Sequence, residues 1–292
     1  MGKSAEDRSV GAPAAPEADA ARVAAIRNSL DPRDQGAVQS FGERARREVG
    51  ASVERLHAEV KGRELQDLSD TLRKLADTAQ GLEPAMLTPT GMASLFGGRR
   101  RRLNWFRGRY DVARRTLDEL VADMRERAQR IERKSHALNT LHEQARSFIL
   151  ELDAHVAAGR ARGAELMSRG ADKAAETSER LKARLSDLET LRSTAVQQLP
   201  LVRLVQNVDA PVGEAVEHAA QAVETWKADW ADRLGMTLDP RLGIRPDEAG
   251  LAASKAALLQ SIEACEARLK ESRDRRREAE AELEDAARTV RR

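Results

Sequence analysis

A chain of 292 residues can hold one large or two modest domains, and with 34% charged but only 3% aromatic residues it disfavours a compact core built on large rings. The abundance of Ala, Leu, Arg and Glu favours long helices and coiled coils instead. A formal charge of +2 gives no global field towards nucleic acid or membrane, a single cysteine excludes an internal disulfide, and no run of about 18 apolar residues offers a membrane span.

Residues 1–20 read as a disordered tail, with Pro13, Pro16 and mixed charges. Asp31-Pro32 reads as a helix start, with Asp as N-cap and Pro at the first helical position. A helix is expected from there to about Lys61, turning Val38, Phe41, Val49, Val53 and Leu56 inward. Gly62 interrupts it, and Leu65, Leu68, Leu72 and Leu75 resume the stripe up to Gly81. Pro84, Pro89, Gly91, Gly97 and Gly98 then mark a loop.

From Leu117 to Val156 apolar residues recur by four and three, through Val121, Met124, Ala128, Ile131, Ser135, Leu138, His142, Ala145, Ile149 and Leu152. That is a heptad stripe, in a helix expected to run about 60 Å. Gly159 and Gly163 are expected to form a turn. A second stripe follows through Met167, Ala171, Ala174, Ser178, Leu181, Leu185, Leu188, Ala195 and Leu199. Two such helices predict an antiparallel coiled-coil hairpin. Pro200 opens a third segment, through Val205, Val208, Val212, Val216, Val223 and Trp226, with a kink or restart at Pro211. Pro240, Gly243 and Pro246 mark a linker. A last stripe runs through Leu251, Leu258, Ile262, Cys265, Leu269, Ala279, Leu283, Ala286 and Val290.

The expected fold is therefore all-α: an elongated helical bundle with a long antiparallel coiled-coil hairpin and a C-terminal coiled-coil helix. Its expected divisions are the tail 1–20, N-terminal helices and loop 21–98, a helical core 99–232, a linker 233–246 and a charged coil 247–292.

Two constellations carry candidate chemistry. The first is a collar of eight arginines, including Arg99, Arg100, Arg101, Arg102, Arg107 and Arg109, interleaved with Trp105, Phe106 and Tyr110 and opposed in residues 99–115 only by Asp111. Guanidinium forks grip oxyanions and aromatic rings stack or enter interfaces. A protein partner, an anionic membrane surface, nucleic acid or a small oxyanion would each fit, and so would a solvated helix start. The second is Arg203 with Gln206 and Asn207, at spacings that share a helical face. These read either as a buried polar network fixing register or as an anion or partner site. Trp226 and Trp230, four apart, read as a hydrophobic patch against a neighbouring helix.

No HxxxH or HExxH spacing links the five histidines, no Gly-rich phosphate loop follows a strand, and Cys265 sits on a coiled-coil stripe as a small apolar residue. No metal, no cofactor and no catalytic activity are expected.

The block Leu199-Pro200, Arg203-Leu204, Gln206-Asn207 and, further on, Trp226-Lys227 resembles the hallmark of the TelA family, the bacterial toxic-anion (tellurite) resistance proteins. Supporting segments are Val38-Gln39-Ser40-Phe41-Gly42, Leu95-Phe96-Gly97, Arg109-Tyr110-Asp111-Val112, Glu151-Leu152, His155-Val156 and Ala158-Gly159. The resemblance covers roughly residues 31–232. The family usually carries a second Asn or Asp directly after the Asn, where this chain has Val208 and then Asp209, and Pro before the Trp, where it has Thr225.

The resemblance implies a cytoplasmic, all-helical protein tied to resistance to tellurite and other toxic agents and to stress-response partners. Pro200, Trp226 and Lys227 are its structural motif residues. Joined to the residue-level reading, it gives a non-enzymatic scaffold acting in envelope or metal stress. Its expected partners are stress-response or membrane-associated proteins, an anionic surface at the inner face of the membrane, or a second copy through the C-terminal coil. Direct oxyanion capture, and a helical adaptor for anionic membrane or nucleic acid, are the alternatives.

Overall fold

The computed structural model describes residues 19–88, 98–168, 172–236 and 247–291. Among these are seven α-helices, one 3-10 turn and no strand, so the chain is all-α as its periodicities predict. The helices are α1 (Ala20–Ser29), α2 (Gln35–Gln39), α3 (Glu43–Val60), α4 (Glu64–Gln80), α5 (Arg99–Ser168), α6 (Asp172–Arg233) and α7 (Glu248–Arg291), with the 3-10 turn at Pro84–Leu87. The expected tail up to residue 18, the segment holding Pro89 and Leu95-Phe96-Gly97, Ala171, and the linker's Pro240, Gly243 and Pro246 lie outside the described residues.

The helices form two compact units. One comprises Met1–Glu54, Glu143–Leu199 and Thr289–Arg292; the other comprises Arg55–His142 and Pro200–Arg288. In the first, α5 and α6 run antiparallel, since contacts climb one helix as they descend the other: Asp153 pairs with Arg192 and Arg160 with Glu189. Their facing stripes bury Ile149, Leu152, Val156, Leu181, Leu185, Leu188 and Ala195 as expected, while Met167 is exposed.

The turn expected at Gly159 and Gly163 is absent, because α5 continues through both. At Gly159 the space a Cβ would need is filled by Leu185, 2.6 Å away, and Phe41, 2.9 Å away. Close packing, and not chain reversal, requires glycine there.

The helix expected from Asp31 to Lys61 is instead broken at Gly42. Asp31 caps only a turn, accepting from the Arg33 N–H, and Asp34 caps α2 through the Gly36 and Ala37 N–H groups. Gly42 then takes a left-handed φ of 70°, with Leu188 at 2.7 Å from where a Cβ would stand. Arg184 holds the turn by donating to Phe41 O and to the Glu43 carboxylate.

In the second unit α4, α5, α6 and α7 enclose one core. Leu68, Leu72 and Leu75 meet Phe106, Tyr110, Leu117, Met124, Trp226 and Trp230, and α7 adds Leu251, Leu258, Ile262, Cys265 and Leu269. The stripe of α7 is thus covered by its own chain. The Trp pair packs as expected, rings 4.8 Å apart, with Trp230 stacked against Tyr110 and Phe106. The Tyr110 hydroxyl donates to Lys227 O at 2.6 Å, and Lys227 itself pairs with Asp118 and Glu224.

α6 does not restart at Pro200 but passes through both Pro200 and Pro211. It ends in a Schellman-type cap at Gly235 (φ 64°), where the Met236 N–H reaches Ala231 O.

Gly42→Ala should destabilise the protein by about 1–2 kcal/mol for the left-handed backbone alone, and by more once the Leu188 clash is added. Gly50→Ala, inside α3 with open space around its Cβ position, should stabilise by about 0.5–1 kcal/mol. Urea unfolding of the two variants checks this, and like signs would refute it.

Candidate functional site

The polar positions of the two heptad faces meet each other in the second unit. Ser135, Asn139 and His142 lie on α5, and Arg203 and Gln206 oppose them on α6. Arg203 donates to Asn139 Oδ1 at 2.6 Å and Gln206 Oε1 at 2.9 Å, and lies 3.2 Å from His142 Nδ1. Gln206 in turn donates to Ser135 O at 2.8 Å. Unequal polar pairs of this kind admit only one register of α5 against α6. Asn207 points away: it is exposed and stands outside this network. Pro200 is exposed one turn upstream of Arg203.

The residue that sequence reasoning passed over is Asp209. It is 4% exposed and pairs with Arg276 of α7, also 4% exposed, at 3.0 Å. Arg276 also donates to Val60 O at 2.7 Å, so one guanidinium ties α7 to α6 and to the end of α3. Beside it Ser272 donates to Val208 O at 2.9 Å, and Lys134 joins Lys61 O to the Glu64 carboxylate. Asp209 lies two residues before Pro211, which withdraws an N–H from the α6 ladder. The only hint in the sequence was an aspartate on an apolar stretch and an arginine on an apolar heptad position.

Burial pushes the Asp209 carboxyl up to about 6 against the pull of Arg276. Asp209 also edges an open groove of about 710 Å³ between α5 and α6, lined further by Arg125, Gln129, Glu132, Ser135, His136 and Glu217. Arg125 and Glu217 are paired across it at 2.8 Å. Among the described residues no group of three or more His, Cys, Asp or Glu could hold a metal ion. Cys265 is buried, and burial pushes its thiol up to about 12.

The collar divides. Phe106 and Tyr110 belong to the core, while Trp105 is 52% exposed. Arg107 caps the end of α6 by donating to Leu234 O and Gly235 O, a favourable place for a cation. Arg109 donates to Gly81 O at 3.0 Å and lies over the Trp105 ring at 5.2 Å. Arg102 is half-buried. Arg99, Arg100 and Arg101 are exposed in the first turn of α5, with no acidic residue in that turn. They oppose the helix dipole, which favours anions there.

A family model described as "Toxic anion resistance protein (TelA)" matches residues 23–236. The chain belongs to the TelA family. The family is described as one of toxic anion resistance proteins. Curated relatives include the TelA-like proteins of Staphylococcus aureus strains Mu50 and COL, each 19% identical over 233 residues. The match covers 72% of this chain but only 62% of each relative, so the chain corresponds to less than two thirds of those proteins. No solved structure matches significantly. No helix among the described residues is long and apolar enough to cross a membrane.

Four family-marked residues of α6 fall on internal contacts, Arg203 and Gln206 in the α5 pairing, Trp226 in the core and Lys227 on Asp118, while Pro200, Leu204 and Asn207 are exposed.

Two outcomes are expected for the buried pair. Because the folded chain keeps the Asp209 proton up to about pH 6 while an unfolded aspartate releases it near 4, the stability it contributes is full below about pH 4 and falls as pH rises through 6. Asp209→Asn should lack that decline, so the wild-type minus variant difference in urea stability should fall by on the order of 2–3 kcal/mol across those pH values. Arg276→Met should cost about 3–5 kcal/mol by stranding the carboxylate, whereas Asp209→Leu with Arg276→Met should recover most of it.

Proposed function

We propose that this chain is a non-enzymatic helical binding protein that serves toxic-anion resistance by docking partners at the start of α5. The carrying observation is the exposure of Arg99, Arg100 and Arg101 on the helix end whose dipole already favours anions. Folding gains nothing from three like charges there, so an anionic surface is what they fit. Arg107 and Arg109 hold this end rigidly against the body of its unit.

Direct oxyanion capture by Arg203, Gln206 and Asn207 is less well supported. The Arg203 guanidinium already serves Asn139 and Gln206, and an incoming anion would have to displace both. Thiol-based reduction of a toxic anion wants an accessible thiolate, and the buried, protonated Cys265 does not offer one. These points favour binding over chemistry. The working place we assign is cytoplasmic, with stress-response or membrane-associated proteins as partners. A second copy joined through α7 would have to use faces other than its buried stripe.

The test is replacement of Arg99, Arg100 and Arg101 together by Glu, in a host lacking the endogenous gene. Tellurite survival should drop to that of the null strain while helicity and melting temperature stay unchanged. Undiminished survival would rule out the collar as the working surface.

A further inference from the structure

One exposed face of α5 continues from the collar into a groove. Arg101, Trp105, Gly108, Val112 and Thr116 recur by four and three, which places them in line on the helix. This is the spacing of a helix-pairing seam, yet it faces outward: Trp105 is 52% and Val112 65% exposed. The other wall is α4 and its end, with Asp77, Thr78, Gly81 and Leu82, and the concavity measures about 630 Å³. Arg109 fixes the Trp105 ring by stacking over it while bonded to Gly81 O.

Gly108 supplies the second observation. A glycine inside a helix costs about 1 kcal/mol relative to alanine, and a Cβ built there meets nothing within 4 Å. Gly50 in α3 and Gly213 in α6 have the same open space, so what sets Gly108 apart is its place between the exposed Trp105 and Val112. A bare helix surface between Trp105 and Val112 is repaid when another backbone lies close upon it.

The charges give the sign of the occupant. Arg109 and Asp77 are the charged residues that line the groove. Exposed Arg101 continues the same line one turn before Trp105, and Arg99, Arg100 and Arg115 are exposed on the same helix, none of the four with an ion pair among the described residues.

We propose that this groove docks an acidic amphipathic helix of a partner protein. Its apolar ridge lies over Gly108 between Trp105 and Val112, and its carboxylates meet the arginines. The occupant is a helix because the exposed apolar residues form a single line along α5 beside α4, a track that one ridge of helix side chains follows. The proposal rests on the reading of the α5 start as a docking surface and names what docks there.

The experiment places a photo-crosslinking phenylalanine analogue at Val112 of the full chain in its host cell, with the same label at exposed Met167 as control. The expected adduct is to a protein, through a peptide whose heptad-spaced apolar residues are flanked by Asp and Glu. Gly108→Leu, which fills open space without touching the core, should abolish it, and Arg101→Glu should weaken it about tenfold through like-charge repulsion. Adducts to lipid or nucleic acid, an adduct indifferent to Gly108→Leu, or a yield no higher than at Met167 would each overturn the proposal. Should Gly108→Leu leave tellurite survival intact while the triple Glu variant destroys it, the collar reading stands and the groove falls. Loss with both variants supports both.

Discussion

A carboxylate sealed from water has to be answered within the fold, and at Asp209 the answer comes from sixty-odd residues further along the chain. Arg276 meets it from α7 through one terminal nitrogen and donates from the other to Val60 O at the end of α3. Three helices are thereby joined where Pro211 has weakened the ladder of one of them. A hydrophobic stripe alone would let α7 slide along α6, since Leu251, Leu258 and Cys265, and beside them Ile262 and Leu269, repeat at steps of seven. A buried ion pair admits one position only.

The same logic operates where α5 meets α6. The heptad pattern fixes which faces meet, but a row of Leu, Val and Ala is nearly indifferent to a one-heptad shift. Arg203 and Gln206 against Ser135, Asn139 and His142 are not indifferent, because a shift would leave half-buried donors unmet. The family hallmark around Arg203 thus coincides with the place where register is decided.

Periodicity was legible because burial in an all-α chain repeats with the helix, so the stripes of α4, α5, α6 and α7 could be read directly, as could the Trp226–Trp230 patch and the break at Gly62. What was not legible turns on residues with two physical uses. Gly159 can reverse a chain or admit a neighbour, and only the positions of Phe41 and Leu185 decide for the second. Gly42 sat in an apparently helical run, where nothing local announced a left-handed turn. Pro200 and Pro211 end most helices, yet tertiary packing carries α6 through them. Asn207 and Asp209 differ by two positions, about 200° around a helix, so the exposed amide and the buried acid exchange roles that spacing alone could not assign.

The arginines of the collar show why composition underdetermines function. Eight cations in seventeen residues look like one feature, but helical geometry sends them to different duties. Arg107 closes the end of α6, Arg109 fixes an exposed indole, Arg114 leans on Asp111, and three at the helix start face water. Charge density is therefore no measure of a binding surface; what remains after internal demands are met is. Applied to α6, that subtraction removes Arg203, Gln206, Trp226 and Lys227, which are taken up by internal contacts, and leaves Pro200, Leu204 and Asn207 exposed. Applied to α5, it leaves a line of arginine, tryptophan, glycine and valine that the fold itself does not use, and a surface that folding does not need is where selection for contact with another molecule has room to act.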